Sequence, residues 1–272
     1  MKNKIVLVTG ATDGIGKQTA LQLAQKGARV LVHGRSAERC QRAVDEIRSQ
    51  SGNAAVEYVL ADFASLEQVR AMAAEVGQRV DHLDVLVNNA GVYFRERTLS
   101  EDGYEMTFAV NHLAHFLLTN LLLRLVKKAP AGRIVTVSST LHTVRGLDMD
   151  NLQGEKRYNG NGAYALSKLG NILMTRELTE RLAGSGVTAN SLHPGVIDTK
   201  LLRKGFNISG NSIESGAATS VYLASSPEVE EVSGEYFVDR KPEDAGAQAT
   251  DPALQKQFWQ ISAELTGLQE QS

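Results

Sequence analysis

Seven short runs rich in valine, isoleucine and leucine alternate along this chain with longer amphipathic stretches, and that alternation limits the possible folds more than any other feature. The runs are KIVLVTG from Lys4, ARVLVHG from Ala28, AAVEYVLAD from Ala54, LDVLVNNAG from Leu83, GRIVTVSS from Gly132, GVTANSLHPG from Gly186 and GEYFVD from Gly234. Between them, apolar residues recur at helical spacing over 15–26, 37–48, 66–79, 103–128, 163–183 and 213–224. Continuously apolar strands separated by helices imply a parallel sheet buried on both faces, joined by right-handed crossovers. The expectation is a doubly wound α/β fold of about seven strands with helices on both faces, formed by residues 1–272 as one domain. Ser65 followed by Gln68 reads as a capping box, so a helix is expected to start there with Ser65 as its cap.

Two stretches break the rhythm, 141–162 and 200–212, and both follow strand ends, where open α/β sheets bind ligands. They are expected to form the substrate mouth. Leu201, Leu202, Phe206 and Ile208, punctuated by Gly205 and Gly210, read as an apolar closing lid. A last helix is expected near 252–268.

The charge balance of 29 basic against 31 acidic residues, with no dense basic run, argues against nucleic acid or an anionic membrane as partner. A small molecule is expected instead. The single cysteine, Cys40, reads as a helix-packing residue and fits a reducing compartment. The first strand begins after four residues, and the most apolar run, 115–126, carries Asn120 and Arg124 and is short for a membrane span. The expectation is a soluble cytoplasmic protein without a membrane anchor.

TGATDGIG joins the first strand to the first helix. Gly10 permits a tight turn, Gly14 lets backbone approach a pyrophosphate, and Gly16 allows helix and strand to pack closely. Amides at the helix start then hold phosphate. The gaps between these glycines run three then one, unlike the usual dinucleotide fingerprint. The loop resembles the TGxxxGxG motif of short-chain dehydrogenases/reductases, and NNAG at 88–91, YALSK at 164–168 and HPG at 193–195 resemble that family's later motifs in the same order. AYALSKLGNILMTREL, HPGVIDTKL and SGEYFVD are most similar to its retinol dehydrogenases. Membrane-bound retinol dehydrogenases begin with an apolar anchor, and the first residues here depart from that pattern.

The resemblance implies a Rossmann fold and a nicotinamide dinucleotide. Gly10, Thr12, Asp13, Gly14, Ile15 and Gly16 would hold its phosphates, Asp62, Asn89, Ala90 and Gly91 would border the adenosine, and Pro194, Ile197 and Thr199 would lie at the nicotinamide. At the end of the second strand no carboxylate is present to hold the ribose, and His33, Gly34 and Arg35 stand there. Arg35, with Arg39 one turn on, favours the 2′-phosphate of NADP over NAD, whereas Asp13 inside the loop weighs the other way.

Reducing a carbonyl leaves an alkoxide that needs a proton. Tyr164 is the expected donor, with Lys168 one helical turn away lowering its pKa and holding the nicotinamide ribose. A three-unit shift corresponds to roughly 4 kcal/mol of phenolate stabilisation. Ser139 is expected to bind the substrate oxygen, with Ser138 as its competitor. Asn111, a polar residue in an apolar helix, needs a partner; the resemblance makes it the fourth catalytic member, placing a water beside Lys168. Tyr93 and Tyr158 fall near the mouth but have no lysine four residues on. His112 and His115 lack metal-site spacing and read as packing residues, so no metal is expected. His142 follows Ser139 with no assigned chemistry. The expected activity is NADP-dependent interconversion of a fairly apolar alcohol and carbonyl; the alternative is a catalytically silent, nucleotide-sensing regulator. Helices 103–128 and 163–183 would face a second copy in any homo-oligomer.

Overall fold

Each apolar run becomes a strand in the computed structural model, which describes residues 1–144, 147–201, 203 and 209–268. The strands are β1 (Ile5–Val8), β2 (Arg29–Gly34), β3 (Val56–Leu60), β4 (Val85–Asn88), β5 (Arg133–Val137), β6 (Thr188–His193) and β7 (Tyr236–Val238), with a short β8 (Lys241–Glu243). They form one sheet in the order β3-β2-β1-β4-β5-β6-β7-β8, in which only β8 is antiparallel. The chain winds outward from β1 to β3, then returns to β4 on the other side of β1. This reversal opens a crevice at the carboxyl ends of β1 and β4.

Alternate residues feed two cores. Val6, Val8, Val30, Val32, Val85 and Val87 face one layer, made by α1 (Gly14–Gln25), α2 (Ala37–Ser51) and α6 (Ile213–Ser225). Leu7, Leu31, Leu86 and Ile134 face the other, made by α3 (Leu66–Arg79), α4 (Met106–Val126), α5 (Gly160–Arg181) and α7 (Pro252–Thr266). α7 lies over α4 and α5, the helices expected to face a second copy, with Phe258 5.0 Å from His112 and Trp259 4.7 Å from Phe116 between ring centroids.

Several details differ from the sequence reading. The eighth strand was not expected, because Lys-Pro-Glu carries no strand signal; it is placed by a tight turn in which Asp239 and Arg240 both take positive φ (48° and 66°). α4 is a little shorter than the expected 103–128: at 21 residues it is apolar enough to cross a membrane by length and composition, but 78% of its most apolar part is buried within the fold. Its first-turn amides are capped by buried Glu105, which accepts the N–H groups of Thr107 (2.9 Å) and Phe108 (2.7 Å). α3 starts where expected, yet Ser65 makes no side-chain cap bond. The Leu66 N–H is instead taken by Asp102, 36 residues away in sequence (2.9 Å).

Candidate active site

The crevice is a cleft of about 900 Å³, a size suited to a large cofactor plus substrate. Every predicted site residue except Asn111 lines it. Gly10 and Gly14 both take positive φ (61° and 55°), and α1 begins at Gly14 with Asp13 as its cap. A Cβ on Gly16 would lie 2.4 Å from Asn89 Nδ2 and 2.5 Å from the Gly10 carbonyl, so Gly16 lets helix and strand touch. Among the described residues a Cβ on Gly14 would meet only Thr199, at 3.7 Å, leaving its backbone open to the cleft. These residues fit a dinucleotide: a helix start for phosphate, a bare backbone above it and room for two nucleosides. Gly16→Ala is expected to weaken nicotinamide dinucleotide binding by more than about tenfold and to lower the melting temperature; Gly77→Ala, whose Cβ meets no described atom within 4 Å inside α3, should stabilise by roughly 0.5–1 kcal/mol. Nucleotide fluorescence and thermal melts check both.

On the adenosine side the predicted residues are present but some are already engaged. Asn89 Nδ2 donates to the Thr9 carbonyl (2.8 Å), so its side chain braces the loop. One Asp62 oxygen accepts the Ala64 N–H (3.0 Å), closing the turn that leads into α3. Its other oxygen lies 3.5 Å from the Arg35 guanidinium, whose side chain is 70% exposed. Asp13 pairs with Lys200 (2.5 Å) and more distantly with Arg39 (3.9 Å). The Lys200 hydrogen bond is the main reason its carboxyl sits below the usual range.

Tyr164 and Lys168 project from α5 and are both buried. Lys168 Nζ donates to the Val137 carbonyl at the end of β5 (3.0 Å) and lies 5.4 Å from the Tyr164 ring centroid. Burial pushes the lysine down to about 8. The expected lowering of the tyrosine pKa is absent in the protein alone: burial raises the phenol above its ordinary 10, because desolvation penalises the phenolate. The two serines separate cleanly. Ser138 Oγ donates to the Lys168 carbonyl (2.7 Å), whereas Ser139 Oγ accepts the Leu141 N–H (3.2 Å) and keeps its own proton to give. His142 is buried beneath, held between the Ser139 and Ala245 carbonyls.

Asn111 stands behind the cleft, fully buried, where α4 widens to π geometry over Ala109–Leu113. Its carboxamide accepts the Val92 N–H (2.7 Å) and donates to the Val92 carbonyl (3.0 Å) and Ser167 Oγ (3.1 Å). Asn111 Oδ1 and Lys168 Nζ flank one spot, each within 4 Å of where a Cβ on Gly91 would sit.

The expected mouth is only partly in place. Of 141–162, Leu141 lines the cleft, while residues from Leu147 onward fold around Tyr158, whose hydroxyl donates to the Phe94 carbonyl (2.9 Å). Of 200–212, Lys200, Leu201 and Arg203 line it; the lid residues Leu202, Gly205, Phe206 and Ile208 lie outside the described residues. The wall that was missed is the segment after NNAG, where Val92, Phe94, Leu99 and Met106 face the cleft. Its sequence carried no periodic signal, and Leu99 stands out only in the structure, as a large apolar residue 47% exposed. Also missed were His33, which accepts the Gly10 N–H (3.1 Å), and Thr9, which holds Asn89 and Ala90. Cys40 is buried, as read. Among the described residues no group of His, Cys, Asp or Glu could hold a metal ion.

Comparison with known proteins gives a consistent picture. The family profile for short chain dehydrogenases matches residues 4–208. Human retinol dehydrogenase 14 is 43% identical, over 98% of this chain and 88% of its own. An uncharacterized protein from Mycobacterium paratuberculosis superposes with a TM-score of 0.82 at 33% identity, covering 98% of this chain and 94% of the other. A protein from Beutenbergia cavernae described as an NAD(P)-dependent gluconate 5-dehydrogenase, solved with NADP bound at low occupancy, has a TM-score of 0.73 at 30% identity, covering 88% of this chain and 96% of the other.

Proposed function

The chain belongs to the short-chain dehydrogenase/reductase family, as an enzyme similar to its retinol dehydrogenases, and from that premise we propose that it interconverts a fairly apolar alcohol and its carbonyl with NADP. The observation that carries this reading is the meeting of Tyr164, Lys168 and Ser139 on the wall of the cleft that the glycine loop also borders. The cofactor, when bound, supplies or takes up the hydride. Ser139 gives its hydrogen bond to the substrate oxygen, and Tyr164 gives the proton. A phenol that burial keeps protonated is suited to reduction near neutral pH; in the oxidative direction its proton must leave, helped by the Lys168 ammonium and the cationic oxidised ring. Asn111 acts from behind, steadying Val92 and the helix of Tyr164 next to Lys168.

Apolarity of the substrate is supported by the wall of Val92, Phe94, Leu99, Met106 and Leu141. NADP is supported by the arginines at the end of β2. Asp13, the feature weighing against it, is neutralised by Lys200 and Arg39, and the exposed Arg35 is free to swing from Asp62 to a phosphate. NADP bound to the Beutenbergia protein is in keeping with this.

The test is a panel of apolar aldehydes and ketones with NADPH and NADH, following absorbance of the reduced cofactor. NADPH should be preferred, and Arg35→Ser should cut that preference by roughly 10- to 100-fold, the worth of a charge-assisted hydrogen bond. Equal use of NADH, unchanged by the substitution, would overturn the choice of NADP.

A further inference from the structure

Thr9, His115 and Asn111 form a chain of hydrogen bonds whose direction follows from counting donors and acceptors. Thr9 Oγ1 accepts the N–H groups of Asn89 (2.8 Å) and Ala90 (3.0 Å), which fills both of its lone pairs. Its proton remains to be given, and His115 Nε2 at 2.9 Å is a nearer acceptor than the Val87 carbonyl at 3.3 Å. Nε2 is therefore bare. The imidazole proton must sit on Nδ1, which donates to the backbone carbonyl of Asn111 (3.0 Å). A second proton has no acceptor at Nε2, and burial drives the His115 pKa down to about 3.

The chain continues beyond Asn111. Its carboxamide donates to Ser167 Oγ, and Ser167 Oγ donates to the backbone carbonyl of Tyr164 (2.8 Å). Phe63 closes the side of the His115 ring, edge to face at 5.3 Å. Hydrogen bonds thus link the loops framing the dinucleotide cleft to the backbone of the proton donor, and His115 joins Thr9 to the turn that carries Asn111.

Resting on the oxidoreductase reading above, we propose that His115 is a positioning residue: its Nδ1–H tautomer fixes the π-widened turn that carries Asn111 against Thr9, so that the cofactor loops and the proton-transfer helix keep one register. An ordinary core histidine would fill space; this one transmits position.

Imidazole ¹⁵N shifts in the unmodified protein read the tautomer directly. A protonated Nδ1 and bare Nε2 at neutral pH are expected, with a shift change on adding NADPH; a protonated Nε2 overturns the proposal. Two substitutions separate the arms. His115→Gln offers an oxygen near the place of Nε2 and gives up the donor to Asn111. His115→Asn keeps a donor for Asn111 and falls short of Thr9. The first should lower kcat about tenfold with the smaller effect on the NADPH Kd, and the second should raise that Kd about tenfold with the smaller effect on kcat. Loss of melting temperature in both, with kcat and Kd unmoved, reduces His115 to a packing residue. The Kd is measured by nucleotide fluorescence without substrate. A protein that binds NADPH but reduces no carbonyl therefore refutes the functional reading, while the tautomer and the Kd still decide the role of His115.

Discussion

Tyr164→Phe should lower carbonyl reduction by roughly 10²- to 10⁴-fold, the usual worth of a positioned general acid, while leaving NADPH affinity within about twofold. The substitution removes one oxygen from a buried ring and keeps its packing. Lys168 stays in place because its anchor is the Val137 carbonyl. The phosphate loop belongs to β1 and α1, so cofactor binding has no reason to change. The nearest replacement is Tyr93, whose ring centroid is 6.1 Å away, but its hydroxyl is directed to Asn161 (2.8 Å). Steady-state kcat measured beside the fluorescence Kd checks the split. Turnover that survives would remove Tyr164 as the acid and with it the proposed chemistry.

Acid should unfold this protein early. His33, His112 and His115 are held at about 4, 4 and 3, in each case chiefly because burial penalises the charged ring. Their surroundings agree: His33 Nδ1 already receives the Gly10 N–H, which leaves it no room for a proton. In the unfolded chain each returns to about 6.5 and binds protons that the folded state refuses. The stabilisation is complete above pH 6.5 and is lost progressively as the pH falls toward 4. At pH 5 each ring costs about 2 kcal/mol, so the three together remove about 6 kcal/mol, a large part of the 5–15 kcal/mol typical of a folded domain. Urea midpoints at pH 7.5 and 5 measure this. Equal midpoints would mean that the folded rings take up protons after all.

Much of the fold was readable because its signals are local. Strand–helix alternation gave the parallel sheet, since strands buried on both faces must be continuously apolar, and the ends of α1, α2, α3 and α6 fall within three residues of their expected places. The glycine loop and the Tyr164–Lys168 spacing were readable for the same reason: each is one turn of backbone. What escaped depends on distant residues. Ser65 looked like a cap, yet Asp102 from another loop took the amide. Ser138 and Ser139 are told apart in sequence only by the family pattern, which favours the second; the physical difference appears when the Lys168 carbonyl takes the proton of Ser138. His115 looked like a packing residue because its partner Thr9 lies 106 positions away. The raised phenol pKa of Tyr164 was hidden too, since burial depends on what covers the helix.

The placement of α7 bears on how the enzyme is made. Phe258 and Trp259 cover the helices that carry Asn111, Tyr164 and Lys168, and His112 on α4 bonds Ser262 (2.8 Å). Those two helices leave the ribosome well before residues 252–266 do. At a synthesis rate of about 5–20 residues per second, α4 waits several seconds for its cover, with its apolar face open to chaperones and to other nascent chains. The helix behind the glycine loop waits less, because its late neighbour α6 is made before α7. A translation pause that is harmless near residue 60 would thus cost soluble yield if moved to the stretch between α5 and α7.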